Sequence, residues 1–180
     1  MTETPYTTEP SYTLGPDEKS TRVMIGTAET LIWGDLVTKE QVRMSAYLNT
    51  LAEGYVPIYD AKILFLAPEK QTAPIHRASV HIRQEEILFF FAVNDQEPLA
   101  EETETRRYEP VEAILGSYQI EGSIVKAPIS SLQNTLLVSK ATYTLIYNAT
   151  LHHVAKPWLG SFASSLVQAR SERMIVTVKQ

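Results

Sequence analysis

The chain has 180 residues, with 16 Lys and Arg against 21 Asp and Glu, a formal net charge of −5. It is 44% hydrophobic and carries no Cys, which rules out wholesale disorder, disulfide frameworks, thiolate zinc sites, iron–sulfur clusters and thiol nucleophiles. The net acidity argues against a protein that coats nucleic acid by charge alone.

Residues 1–20, MTETPYTTEPSYTLGPDEKS, are rich in Thr, Pro and Glu and are read as a flexible N-terminal tail, with Tyr6 and Tyr12 as the only candidates for a linear docking motif. They lack the basic start and apolar block of a secretory signal. The longest apolar run, Ile87 to Val93, is the length of a buried strand and falls well short of the roughly 18 residues of a membrane span. A cytoplasmic location is the default expectation.

Residues 21–93 read as mostly strand. Thr21 to Ala28 and Thr30 to Val37 are β-branched and apolar, with Gly34 marking a bulge, a bend or a close backbone approach. Thr38 to Thr50 suggests a short helix through Met44, Tyr47 and Leu48. Tyr55 to Leu66 returns to strand, and Ala78–Arg83 with Glu86–Val93 reads as a hairpin turning at Gln84-Glu85. Residues 94–109 hold Asp95, Glu97, Glu101, Glu102, Glu104 and Glu109 against Arg106 and Arg107, the composition of an acidic linker.

Residues 110–180 repeat what precedes the linker. At an offset of 88, positions 32–63 give eight identities in 32. They pair Ile32, Gly34, Val37 and Leu48 with Ile120, Gly122, Val125 and Leu136, and Tyr55, Ile58, Tyr59 and Ala61 with Tyr143, Ile146, Tyr147 and Ala149. A third block sets Arg83 to Leu88 against Arg170 to Ile175 at an offset of 87, so a hairpin is expected again around Ser171. Three blocks in the same order and spacing indicate an internal duplication. Copy one, with seven basic and eight acidic groups, carries −1; copy two, with six and three, carries +3. The acidity lies mainly in the tail and linker.

About five strands and one short helical insertion in about 70 residues must curl to bury an apolar face, so the fold expected is mainly β, two tandem five-stranded barrel-like domains. Trp33, Tyr59, Phe89 and Phe91 would divide between core and surface by alternation.

The pattern of a strand, Ile-x-Gly-x-Leu at Ile32–Leu36, a short helix and a strand with a buried Ala resembles SH3-like and Sm-like small barrels. More narrowly, Arg43-Met44-Ser45-Ala46-Tyr47-Leu48-Asn49 followed by Val56-Pro57-Ile58-Tyr59-Asp60-Ala61 resembles an uncharacterised bacterial domain family with motifs of the form Arg-Leu-Ser-Asp-x-Leu-Asn and Leu-Thr-Asp-Ala. The match covers most of copy one; in copy two, Ser131 to Leu137 keeps only the apolar positions. The resemblance implies a fold and carries no activity.

No residue pattern specifies chemistry. His152 and His153 are adjacent on a strand and point to opposite faces, and His76 and His81 lie elsewhere, so no metal site is assigned. Glu85-Glu86 reads as a solvated turn, and Ser161, Ser164 and Ser165 lack a nucleophile-elbow pattern. No catalytic, cofactor-binding or metal-ligating residue is therefore expected, and no enzyme. The leading reading is a non-catalytic interaction or scaffold protein, pairing through strand edges such as Val56 to Leu66 with itself or another protein. A second is one calycin-like barrel holding an apolar ligand. A third is RNA or single-stranded DNA binding by copy two, with Tyr143, Tyr147, Trp158 and Lys156 as stacking and phosphate groups.

Overall fold

The computed structural model describes residues 12–51, 54–67, 73–93 and 105–178. Ten strands follow in chain order: β1 (Glu18–Gly26), β2 (Thr30–Lys39), β3 (Tyr55–Phe65), β4 (Ile75–Arg83), β5 (Phe89–Ala92), β6 (Arg107–Leu115), β7 (Tyr118–Lys126), β8 (Tyr143–His153), β9 (Ser161–Arg170) and β10 (Met174–Val178). The two helices are short, α1 (Tyr47–Thr50) and α2 (Leu132–Val138). The protein is mainly β, and its strands form one antiparallel ten-stranded sheet in the order β10-β6-β7-β8-β9-β5-β1-β2-β3-β4. Among the described residues, no helix is long and apolar enough to cross a membrane.

The two halves of that order are the same meander written twice. β5-β1-β2-β3-β4 and β10-β6-β7-β8-β9 correspond strand for strand. Pairing registers match β1–β3 to β6–β8 at an offset of 88 and β4 to β9 at 87. β5 corresponds to β10 at 86, because Gly26 and Ile25 face Phe89 and Phe90 where Ile114 and Ala113 face Ile175 and Val176. The third sequence block therefore slips after Ile87: Leu88 is an extra residue in the first copy.

Both copies bend at the same bulge. β2 and β3 lose register between Trp33 and Asp35, and β7 and β8 between Glu121 and Ser123. The extra residues, Asp60 and Asn148, have φ of 46° and 49°, and Asp and Asn are the non-glycine types that tolerate that region best. Gly34 and Gly122 sit beneath these bulges. A Cβ on Gly34 would stand 2.5 Å from Ile58 Cγ2 and 2.6 Å from the Tyr59 carbonyl oxygen, and on Gly122 2.6 and 2.7 Å from the corresponding atoms of Ile146 and Tyr147. Both glycines mark close backbone approach, as the sequence predicts.

Two expected hairpins are absent. Gln84–Glu86 and Ser171–Arg173 are 3-10 turns, and neither β4 with β5 nor β9 with β10 is paired. Composition explains the divergence: every residue of β5 is buried, whereas β4 exposes His76, Arg77, Ser79, His81 and Arg83. A charged strand is a poor cover for Phe89 to Phe91, so β5 crosses to β1 and to β9 of the other copy. Gly26 makes room, since a Cβ there would overlap the Phe89 ring.

The core falls into two clusters, with β5 between them. Phe90 joins Val23, Ile25, Leu36, Met44, Leu48 and Ile58. Phe89 and Phe91 point the other way, into a cluster built on Ala113, Leu115, Tyr118, Ile120, Ile146 and Val167 of the second copy. Both phenylalanines are thus interior, and the half-buried Trp33 packs against the same cluster. The sharing runs both ways, because Tyr143 of copy two belongs to the cluster of copy one.

The helices differ from the pattern expected of them. Copy one's insertion is a 3-10 turn, Met44–Ala46, running into a four-residue helix that buries Met44 and Leu48. In copy two, Ser131 Oγ caps α2 by accepting from the Asn134 N–H at 3.2 Å. Ile129 and Leu137 are exposed, and no α2 residue is fully buried. The tail reading also needs trimming. β1 starts at Glu18, the Tyr12 hydroxyl donates to Glu18 at 2.8 Å, and the Tyr12 ring lies 4.7 Å from that of Tyr59. The rest of the tail reading (1–11, with Tyr6) and linker residues 94–104 lie outside the described residues, while Arg107–Glu109 are already strand.

Candidate functional site

The structure scatters the residues that invited chemistry. His76 and His81 are both exposed on β4 and, five residues apart, point to opposite faces. His152 and His153 point to opposite faces of β8; His153 is buried edge-on against Tyr118 at 4.9 Å. Burial, and then the nearby Lys156 charge, hold the His153 imidazole below its ordinary pKa. Among the described residues, no three His, Asp or Glu side chains come together to hold a metal. Glu85 pairs with Arg83, both well exposed. Ser164 Oγ donates to the Leu166 carbonyl at 2.8 Å and accepts from its N–H, a local turn contact rather than an activated hydroxyl. Of the proposed stacking residues, Tyr143 is wholly buried and Tyr147 packs edge-on against Tyr108. Trp158 alone presents an exposed aromatic surface.

What the fold does bring together is the junction between copies. β5 and β9 pair at Phe89–Ala169 and Phe90–Gln168. Beside this short ladder, the Tyr143 hydroxyl donates to the Gln84 carbonyl at 2.7 Å and Arg170 donates to the same oxygen at 3.0 Å. The Arg170 guanidinium also stands over the Tyr143 ring, 5.8 Å from its centre. Asn49, at the end of α1, binds the Tyr143 backbone twice, donating to its carbonyl and accepting from its N–H, both at 3.0 Å. Gln168 Nε2 donates to the Met44 carbonyl, and Gln84 Nε2 to that of Leu48. Each chain end of the junction is therefore tied to backbone, which fixes register as well as contact.

The sheet ends on two unpaired edges. Among the described residues, β4 pairs only with β3 and β10 only with β6. β10 reads Met-Ile-Val-Thr-Val, without charge, and Ile175 is 64% exposed. The β3–β4 pair carries the repeat counterparts of the junction residues. Tyr55 and Arg83 are cross-strand partners, as Tyr143 and Arg170 are. Yet Tyr55 is 58% exposed where Tyr143 is completely buried. The identities Tyr55/Tyr143 and Arg83/Arg170 were visible in the sequence, but their opposite environments follow from which copy has a neighbour.

A second feature is an apolar groove of about 370 Å³ between the copies, lined by Trp33, Leu31, Leu64, Trp158, Leu159 and Phe162 among others. Both tryptophans of the chain border it. No protein-family model, curated protein or solved structure matches this chain.

Proposed function

We propose that the chain is a non-catalytic interaction protein made of two tandem, five-stranded barrel-like repeats, which binds partners through its outer sheet edges. The observation that carries this reading is the pair of edges left unpaired among the described residues: a ten-stranded sheet ends on an uncharged β-branched strand, β10, at one side and on β4, where Arg83 faces Tyr55 of β3, at the other. An unprotected edge such as β10 is a template for another strand, and natural proteins normally blunt such edges unless pairing is their use. Among the described residues, the histidines, serines and acids are scattered over separate elements. Proximity labelling in the native cell tests the reading, using the intact protein and edge variants Ile175→Lys and Tyr55→Ala. The expected result is a defined set of labelled proteins, the chain itself included, that is lost with either variant. The same set with all three proteins would sink it.

The groove supports a second reading, the binding of an uncharged apolar ligand. Its volume is in the range of small-molecule sites, about 300–1,000 Å³. This moves the ligand of the calycin-like reading from a barrel interior to the seam between the repeats.

A further inference from the structure

We propose that a second copy of this chain docks head to tail, β10 of one chain pairing with β4 of the next, so that the β5–β9 junction is repeated between chains. This rests on the reading of the outer edges as binding surfaces and names their occupant.

The argument is one of correspondence. β5 and β9 are the outermost strands of the two repeats on the sides where they meet; β10 and β4 are their counterparts on the sides that pair with no other described strand. Transferring the internal register by the repeat offsets places Ile175 opposite Ile82 and Val176 opposite His81, as Phe89 faces Ala169 and Phe90 faces Gln168. The latch transfers too. Tyr55 and Arg83 of the next chain would reach the Ser171 carbonyl, the counterpart of Gln84, as Tyr143 and Arg170 reach Gln84 within the chain. The corner is built alike in both copies, the Gln84 N–H donating to Gly54 and the Ser171 N–H to Thr142, each at 2.9 Å. Three large apolar side chains at counterpart positions are exposed: Tyr55, Leu137 in place of Asn49, and Ile175 in place of Phe89.

Within one chain the two edges stand at opposite ends of the sheet, and the copies are held in their relative orientation by Phe89, Phe91 and Trp33 in a shared core. No other described strand of the same chain reaches either edge, so a second molecule supplies the missing strand. The contact joins two different surfaces, so it forms a closed ring or an open chain rather than a face-to-face pair. It is also weaker than the internal junction. Where copy one buries Met24, Leu31, Trp33 and Leu64 against its neighbour, the counterparts in copy two are Glu112, Gln119, Glu121 and His152. Strand pairing and the Tyr–Arg latch would carry the contact, with little apolar face behind them.

Sedimentation equilibrium of the purified full chain, from micromolar to about millimolar, tests this. The wild type should reach at least twice the single-chain mass. Tyr55→Ala, which removes the β4 latch, and Ile175→Lys, which charges the β10 edge, should each weaken association by about tenfold or more. Both positions are well exposed, and unchanged circular dichroism verifies that each variant folds. An equimolar mixture of the two retains one intact edge of each kind and should form a dimer that grows no further. A wild type that keeps the single-chain mass throughout overturns the proposal, as does an oligomer indifferent to both variants or a mixture that fails to restore dimerisation. If the purified chain stays monomeric while edge-dependent labelling of another protein persists, only the second-copy proposal falls; labelling indifferent to the edges removes both readings.

Discussion

Tyr143 and Arg170 converge on a single acceptor, the carbonyl oxygen of Gln84 in the other half of the chain, at 2.7 and 3.0 Å. The acceptor belongs to a 3-10 turn, so this contact ties the corner of one repeat to the end strands of the other. Burial raises the Tyr143 hydroxyl pKa, against the lowering effect of Arg170, and so keeps it a donor.

Removing that donor gives the first prediction. Tyr143→Phe keeps the ring among Leu48, Ile58 and Phe90 but drops the hydrogen bond donated to Gln84 and the long one, 3.4 Å, accepted from Arg170. The expected cost is about 1 kcal/mol, because Arg170 still satisfies the carbonyl. Tyr143→Ala also empties a fully buried ring site and should cost about 3–5 kcal/mol. Tyr55→Phe on the exposed counterpart should leave stability unchanged within about 0.5 kcal/mol. Urea unfolding of the three variants at low protein concentration measures all of these.

The bulges supply a paired test. Gly34→Ala and Gly122→Ala each drive a methyl into a backbone carbonyl and an isoleucine, at 2.5–2.7 Å. Since the carbonyl cannot rotate away without breaking register, each should cost about 1–3 kcal/mol. Asp60→Asn should be tolerated, as Asn148 already occupies the same position in the other copy. Asp60→Val, a β-branched residue forced to positive φ, should cost about 1–3 kcal/mol. Thermal melts that rank Asp60→Val with Asp60→Asn would contradict this account of the bend.

How much of this was open to sequence reading differs from element to element. Gly34 and Gly122 announced the bend because the space constraint acts on the residue type itself. The strands were legible for the same reason, through β-branched and apolar runs. The link from β4 to β5 is not legible locally, because Gln84-Glu85 separates two apolar runs in the way a hairpin does. Only the burial of β5 on both faces, a consequence of the second copy, rules the hairpin out. Likewise Tyr55 and Tyr143 are the same letter in the same local pattern, and their difference lies entirely in the tertiary neighbour. Leu132, Leu136 and Leu137 keep a helical apolar spacing in α2, yet Leu137 is exposed, because periodicity cannot say whether a helix has a surface to cover.

His153 makes a pH prediction. Its imidazole is buried beside Tyr118, and its folded pKa lies below the ordinary 6.5. The folded state thus favours the neutral form and the unfolded chain binds the extra proton first. This contribution to stability is fully present above pH 6.5 and declines as pH falls from there to the depressed folded value. The carboxylates of Asp17 and Glu18, held low by Lys39 and by the Gly15 N–H respectively, act in a separate window, below about pH 4.5. His153→Phe should flatten the upper window and leave the lower one. Unfolding free energies that keep the same slope between pH 6.5 and 5 in this variant would assign the slope elsewhere.

The groove at the seam makes the last prediction, and its two tryptophans are built-in reporters. Trp33 is half-buried and Trp158 is 38% exposed, and both line the same apolar space with Leu31, Leu64 and Phe162. A ligand that enters displaces water from both indoles, so emission should shift to the blue and saturate at one ligand per chain. Leu64 forms part of the wall from β3 and Phe162 from β9, one from each repeat. Phe162→Ala widens the groove without touching the β5–β9 ladder, which ends at Ala169 and Gln168. It should weaken binding of an apolar naphthalene-type probe by about tenfold or more. Trp158→Phe should keep most of the affinity while halving the signal. A probe that binds equally to the Phe162→Ala protein is sitting on the exposed β10 edge instead, and Ile175→Lys would then abolish its binding.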